Sequence, residues 1–204
     1  MRSAGEGIGM LDLAGCASFP GQETAPRVEL VTEQGRMIVA LDLARAPLTT
    51  GNFLGYVADG DYLGGSFFRT VIGQTNTGNP NPIDVIQAAT SRGSDDDLRP
   101  PIPLERTRDT GLRHLAGTIS MARDGPDTAT SSFFIVTEDT PGLDFGGARH
   151  PDGQGFAAFG CLTEGLDVAR RIQHMPANGQ ELLTPPVVIR GARVISPAPA
   201  KCWP

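Results

Sequence analysis

The sequence predicts a mainly β protein: a barrel of short strands whose open ends are plugged by helices. Three observations predict it. Apolar runs are short and broken by turn residues, with 26 Gly and 17 Pro in 204 residues, which favours many short strands over long helices. Only two short stretches carry helical spacing, one near each end. The stretch Gly117–Val136, GTISMARDGPDTATSSFFIV, alternates, breaks at a turn and resumes as a strand.

Composition narrows the class. Hydrophobic residues make up 39% and charged residues 20%, as in an ordinary soluble globular protein. A chain of 204 residues is naturally one domain with room for a sizeable core. The net charge of −6, with no basic run to offset it locally, argues against nucleic-acid binding. No stretch approaches the ~20 apolar residues of a membrane-spanning helix. We divide the chain into a leader (1–26), a domain (27–196) and a tail (197–204).

Leu13-Ala14-Gly15-Cys16 has the form of a bacterial lipobox. A working signal needs a charged start and an uninterrupted apolar region. Here Arg2 is the only early positive charge, and Glu6 and Asp12 interrupt the region. A flexible leader with a chance match is favoured, and with it a cytoplasmic location. A periplasmic or membrane-anchored lipoprotein is the alternative.

Regular structure begins near Val28. Val28–Val31 and Arg36–Leu43 read as a hairpin around Thr32-Glu33-Gln34-Gly35. Pro47 suits a first helical turn, and Phe53, Tyr56 and Val57 at i, i+3, i+4 give that helix an apolar face. Asp59-Gly60 ends it. Ser66–Ile72 is a strand, with Phe67, Arg69 and Val71 assigned to one face. Gly73–Pro82 is a loop and Ile83–Ala89 a strand in which Gln87 shares a face with Val85. Residues 90–111 are irregular, and Asp95-Asp96-Asp97 there reads as a solvated loop, not a metal site. In the central stretch Ile119 and Met121 share a face opposite Ser120 and Ala122. Phe133 and Phe134 must point to opposite faces, one into a core and one onto a surface; the plainer alternative is two ordinary core aromatics. A Gly-rich loop spans Pro141–Gly155, Phe156–Leu162 is a strand, Leu166–Met175 a helix with Val168 and Ile172 inward, and Val187–Ile195 a last strand.

Few of these residues point to chemistry by themselves. The histidines His114, His150 and His174 have no local ligand spacing. There is no phosphate-binding glycine loop, CxxC pair or GxSxG elbow. Ser131 and Ser132 have no base placed beside them by the sequence. Arg69 has two readings: a solvent-side charge, as most such residues are, or a donor projecting into a half-buried groove marked by Phe67 and Val71.

Taken together, FFRTV at 67–71, IQ at 86–87, GTISMA at 117–122, SSFFI at 131–135 and FAAFG at 156–160 resemble cyclophilin-type peptidyl-prolyl cis-trans isomerases, in the same order, of a divergent bacterial-like kind. The resemblance runs from Val28 to about Ser196. It implies a closed eight-stranded antiparallel β-barrel capped by two short α-helices. By the same resemblance Arg69 falls on the catalytic arginine and Gln87 on the glutamine that helps hold it and the substrate. Phe134, Met121 and Leu143 fall on the apolar proline pocket, and Ala122 on a peptide-contacting position. Arg123 replaces an asparagine that acts through its backbone. Substrate-contacting positions with altered residues are Val85 (for methionine), Ser132 (for glutamine) and Phe156 (for histidine). Phe68 replaces a histidine, Asp84 stands near an expected aromatic, and Gly142 stands where many members place Trp or Phe.

The resemblance implies acceleration of rotation about Xaa-Pro peptide bonds in protein substrates, with no metal, cofactor or covalent intermediate. The partners implied are Xaa-Pro-containing polypeptides, met by a monomer, with no nucleic acid. Weak binding of cyclosporin is expected, because it relies on wall positions altered here, Gly142 above all. A Pro-peptide-binding or chaperone-like module with weakened catalysis is the alternative, and an unrelated β-barrel ligand binder a third. Of the three cysteines, Cys161 reads as a small core residue. Cys16 and Cys202, on the leader and tail, are free in a cytoplasmic enzyme, but chain length permits them to pair, and the lipobox reading would lipidate Cys16.

Overall fold

Eight antiparallel strands close into a barrel. The computed structural model describes residues 24–74, 80–93 and 99–195; the Leu13–Cys16 motif, Asp95–Asp97 and Cys202 lie outside them. The strands are β1 (Arg27–Thr32), β2 (Gly35–Leu41), β3 (Ser66–Val71), β4 (Val85–Ala89), β5 (Thr118–Met121), β6 (Phe133–Val136), β7 (Ala157–Glu164) and β8 (Leu182–Val194). Their order around the barrel is β1-β2-β7-β5-β6-β4-β3-β8, and β8 pairs back onto β1. Closure leaves no free sheet edge, so every strand can pair on both sides.

Two helices cap the barrel and lay apolar faces into its core: α1 (Pro47–Ala58) and, further along the chain, α3 (Leu166–Gln173). Phe53, Leu54, Tyr56 and Val57 enter from α1, and Val168, Ala169 and Ile172 from α3. The start of α1 has no side-chain cap of its own. Glu105, distant in sequence, accepts from the Leu48 and Thr49 amides at 3.1 and 2.8 Å instead, placing a negative charge on the positive end of the helix. A third helix, α2 (Thr107–Thr110), is a single turn within the stretch expected to be irregular.

Phe133 sits at the centre of the core. Its ring meets those of Phe53 and Tyr62 at 5.3 Å and Phe67 at 5.9 Å, all near perpendicular, a favoured aromatic geometry. Phe134, one residue on, is on the other side of the sheet. It belongs to a smaller apolar cluster with Val71, Ile83, Val85, Val136 and Leu143. The expected division of the two rings therefore holds.

The strand carrying Arg69 departs from simple alternation. Phe67 pairs with Ala88 but Arg69 pairs with Gln87, so β3 carries one extra residue, Phe68, at a bulge. A bulge reverses the faces of the strand residues beyond it. Phe67 is therefore inside the barrel core while Val71 joins the outer cluster. The expectation that Phe67, Arg69 and Val71 share a face is corrected: only the last two do.

Cys161 is buried in β7 as expected, but it is disulfide-bonded, not a free core thiol; the other two cysteines of the chain lie outside the described residues.

Candidate active site

A groove of about 670 Å³ lies on the outer face of β3, β4 and β6, bounded by the loop between β5 and β6 and the loop between β6 and β7. Of the residues expected at a site, Arg69, Gln87, Val85, Ala122, Arg123, Ser132, Phe134, Leu143 and Phe156 all line it. Met121 does not. Alternation places it with Ile119 on the barrel-core face, where it is 1% exposed, so its assignment to the apolar pocket is corrected. Ile83, which the sequence did not single out, lines the groove and joins its apolar cluster. Asp84, expected near an aromatic position, turns away: its carboxylate accepts from the Gly73 amide at 3.0 Å and from Gln173 Nε2 at 3.1 Å.

The floor is apolar and rigid. The Phe134 ring packs edge-on against Phe156, centroids 5.6 Å apart, and lies nearly parallel to His114 on its other side. Leu143 is placed by the 3-10 turn Pro141–Leu143 and is 1% exposed.

Arg69 stands at the rim of this floor, 30% exposed. A chain of hydrogen bonds sets its orientation. Ser132 Oγ donates to the Ala88 carbonyl at 3.0 Å, which leaves its lone pair to accept from Gln87 Nε2 at 3.1 Å. Gln87 Oε1 is thereby turned to accept from an Arg69 Nη at 3.1 Å. On the other side Glu181 Oε2 accepts from Arg69 Nε at 3.0 Å and from its second Nη at 2.5 Å. Three of the five guanidinium N–H groups are thus used, leaving two for a ligand.

Glu181 was invisible to sequence reasoning. It lies in the turn before β8, with a left-handed φ of 65° that costs a non-glycine residue about 1–2 kcal/mol. Asn178 holds the turn: its Oδ1 accepts from the Gln180 and Leu182 amides at 2.9 and 3.0 Å. The Glu181 carbonyl accepts from the Thr70 amide at 2.9 Å, tying the turn to β3 beside Arg69.

Arg123 is almost fully buried and serves the loop. It grips Asp152 through two bonds of 2.8 and 2.9 Å, donates to the Gly155 carbonyl, and stacks on Phe156 at 4.9 Å. The Arg123 bonds hold the Asp152 carboxyl well below the usual carboxylate range. The Arg123 side chain, 1% exposed, is thus committed to the loop.

His114 was also missed. Its ring is buried between Asp144 (Nδ1 to Oδ1, 2.8 Å) and Ser120 (Nε2 to Oγ, 2.9 Å). The order resembles a hydrolase triad, but Ser120 is 0% exposed and no substrate can reach it. Burial pushes the His114 pKa down against the opposing pull of Asp144. The assembly is a structural brace behind Phe134. Among the described residues no cluster of three or more His, Cys, Asp or Glu is arranged to hold a metal.

Comparison with known proteins settles the family. The family model described as cyclophilin type peptidyl-prolyl cis-trans isomerase/CLD matches residues 27–194. The chain belongs to the cyclophilin-type isomerases. It is 37% identical to peptidyl-prolyl cis-trans isomerase A of Dickeya dadantii, over 84% of this chain and 86% of that protein. It is 35% identical to a peptidyl-prolyl cis-trans isomerase of Streptomyces antibioticus, over 82% and 98% respectively. A crystal structure of a Cryptosporidium parvum cyclophilin superposes with a TM-score of 0.68 at 21% identity, covering 85% of this chain and 99% of the other. The same parasite protein was also crystallised in the presence of the dipeptide Ala-Pro. The cyclophilin barrel expected from the sequence is the barrel observed.

Proposed function

We propose that this cyclophilin accelerates cis-trans isomerisation of Xaa-Pro bonds in polypeptides, without a covalent intermediate, and that Arg69 is the catalytic residue. The observation that carries the reading is the Arg69 guanidinium, oriented by Gln87 and Glu181 with two N–H groups to spare, at the rim of a pocket of Val85, Phe134, Leu143 and Phe156. The Ala-Pro dipeptide used with a structural relative supports a Pro-containing ligand for such a groove.

The chemistry follows from the peptide bond. Delocalisation of the nitrogen lone pair gives a rotation barrier of ~18–20 kcal/mol, and unaided prolyl isomerisation takes tens to hundreds of seconds. In the twisted transition state the proline nitrogen becomes pyramidal and can accept a hydrogen bond, which the planar ground state cannot. An arginine donor aimed there binds the transition state better than the substrate, as acceleration requires. The apolar floor seats the proline ring and favours the less polar twisted amide. Gln87 and Ser132 act through Arg69 by fixing its orientation. Ala122, packed against the apolar cluster, and Arg123 line the side of the groove along which the peptide chain would run.

The test is exchange NMR, or a protease-coupled assay, on a short Xaa-Pro peptide, with wild type and Arg69→Ala side by side. Acceleration that depends on Arg69 supports the reading. Peptide binding without acceleration would favour a proline-peptide-binding module. Glu181 is the feature that gives this second reading substance, because its ion pair partly neutralises the catalytic cation.

A further inference from the structure

Three arginines line the groove, and their charges are not equally balanced. Arg69 is paired with Glu181, and Arg123 with Asp152. Arg149 has no carboxylate partner among the described residues. Its backbone amide is pinned to the Gly142 carbonyl at 3.1 Å, and one Nη donates to the Asn81 carbonyl at 3.2 Å. The first bond anchors its backbone and the second holds its side chain at the groove wall, near Arg69.

The placement is electrostatically unfavourable. Burial and then the nearby Arg69 guanidinium push the Arg149 pKa down, and Glu181 only partly opposes them. Counted together, Arg69, Glu181 and Arg149 carry a net charge of +1 at this end. Asp124 also lines the groove, but its carbonyl accepts from His150 Nε2 at 2.9 Å, and its carboxylate is not paired with Arg149. A half-buried cation that repels its neighbour is relieved by an anion brought in by the ligand.

We propose that Arg149 makes this isomerase selective for Xaa-Pro segments that carry a carboxylate side chain within a residue or two of the proline, on the flank that lies against Arg69 and Arg149. This rests on the isomerase reading and adds the substrate class. The bland alternative is that Arg149 only staples its loop to Asn81 or donates to a peptide carbonyl; neither would discriminate by charge.

The test uses one Xaa-Pro peptide with Ala, Glu or Lys at each position flanking the pair. For one flank, kcat/KM is expected to follow Glu over Ala over Lys, about threefold to fivefold at each step. The order should collapse in ~1 M salt, where the screening length is about 3 Å. Arg149→Gln retains a donor for the Asn81 carbonyl but not the charge, and should abolish the order, read as the ratio of Glu, Ala and Lys peptides within the variant. Arg149→Lys should keep it. Calorimetric affinities for the same peptides read the charge preference even without turnover, and the Ala peptide's rate tests the isomerase reading separately. Equal rates and affinities for Glu, Ala and Lys on both flanks, or an order that survives in Arg149→Gln, would overturn the proposal.

Discussion

Glu181 offers the sharpest test of how the site is built, because it can be removed without touching the groove floor. Glu181→Ala deletes two of the three bonds that orient Arg69 and leaves only Gln87. The backbone bond from the Thr70 amide to the residue-181 carbonyl is kept, and Ala bears the same left-handed φ as Glu, so the fold should be little changed. An ordered arginine gives up roughly 1.5–2 kcal/mol of side-chain freedom. Returning about half of that is ~1 kcal/mol, or about a fivefold loss of kcat/KM. The ion pair itself adds little to stability, since the partners are 30% and 28% exposed and such pairs are worth about 0.2–1 kcal/mol. An opposing effect exists: without Glu181 the guanidinium is a stronger electrophile. Glu181→Gln separates the two, because an amide oxygen can still accept from Arg69 while the charge is gone. If orientation dominates, Glu181→Gln stays within about twofold of wild type and Glu181→Ala falls about fivefold. In an Arg69→Ala background, Glu181→Ala should cost nothing further, the signature of residues acting as one unit. Glu181→Ala matching or exceeding wild-type kcat/KM, or an undiminished cost without Arg69, would refute the argument.

The same geometry sets other expected outcomes. Arg69→Ala should keep the wild-type thermal unfolding temperature to within a few degrees and lose ~100–1000-fold in kcat/KM, the usual consequence of removing one transition-state donor; near-normal activity would show that another group donates to the proline nitrogen. Cyclosporin should bind weakly to wild type. A Cβ at Gly142 meets nothing within 4 Å, so Gly142→Trp should fold and tighten cyclosporin binding roughly tenfold or more by calorimetry, aromatic anchors being strong contributors to interfaces; no gain would mean that position 142 does not face the ligand. The folded His114 pKa lies below its unfolded value, so its contribution is intact above about pH 6.5 and is lost as pH falls from there toward the folded pKa, by at most ~1.4 kcal/mol per pH unit. His114→Gln should flatten that part of the stability–pH curve between about pH 7.5 and 5.5, and an unchanged slope would assign it to other groups. Protein purified without reductant should be lighter by one pair of hydrogens than the reduced chain, through the Cys161 disulfide; a fully reduced mass would contradict it.

The features legible in the sequence and those hidden from it divide along a physical line. Local periodicity was enough for the hairpin of β1 and β2, for both capping helices, and for the opposed rings of Phe133 and Phe134, because alternation and helical spacing are properties of a few adjacent residues. The resemblance then placed Arg69, Gln87, Leu143 and Phe156 around one groove. Contacts made across long stretches of chain left no local mark. Glu105 capping α1, Glu181 gripping Arg69 and Asp144 holding His114 are single acidic residues in ordinary loops. A loop carboxylate carries no signal of its partner in its neighbours.

Met121 and Phe67 show where a local signal was present and still misled, each in a different way. For Met121 the alternation was right: sharing a face with Ile119, it had to enter the barrel core with Phe133. Assigning it to the proline pocket through the resemblance set aside that constraint, since a strand residue cannot serve both faces. For Phe67 the alternation itself failed, because the bulge at Phe68 inserts one residue and reverses the faces between Phe67 and Arg69. The same irregularity sets the face that Arg69 takes. Without it, Arg69 would share the side of Phe67 and project into the packed core, where an unpaired guanidinium is prohibitively costly. With it, β3 puts an aromatic into the core and, two residues later, a cation into the groove.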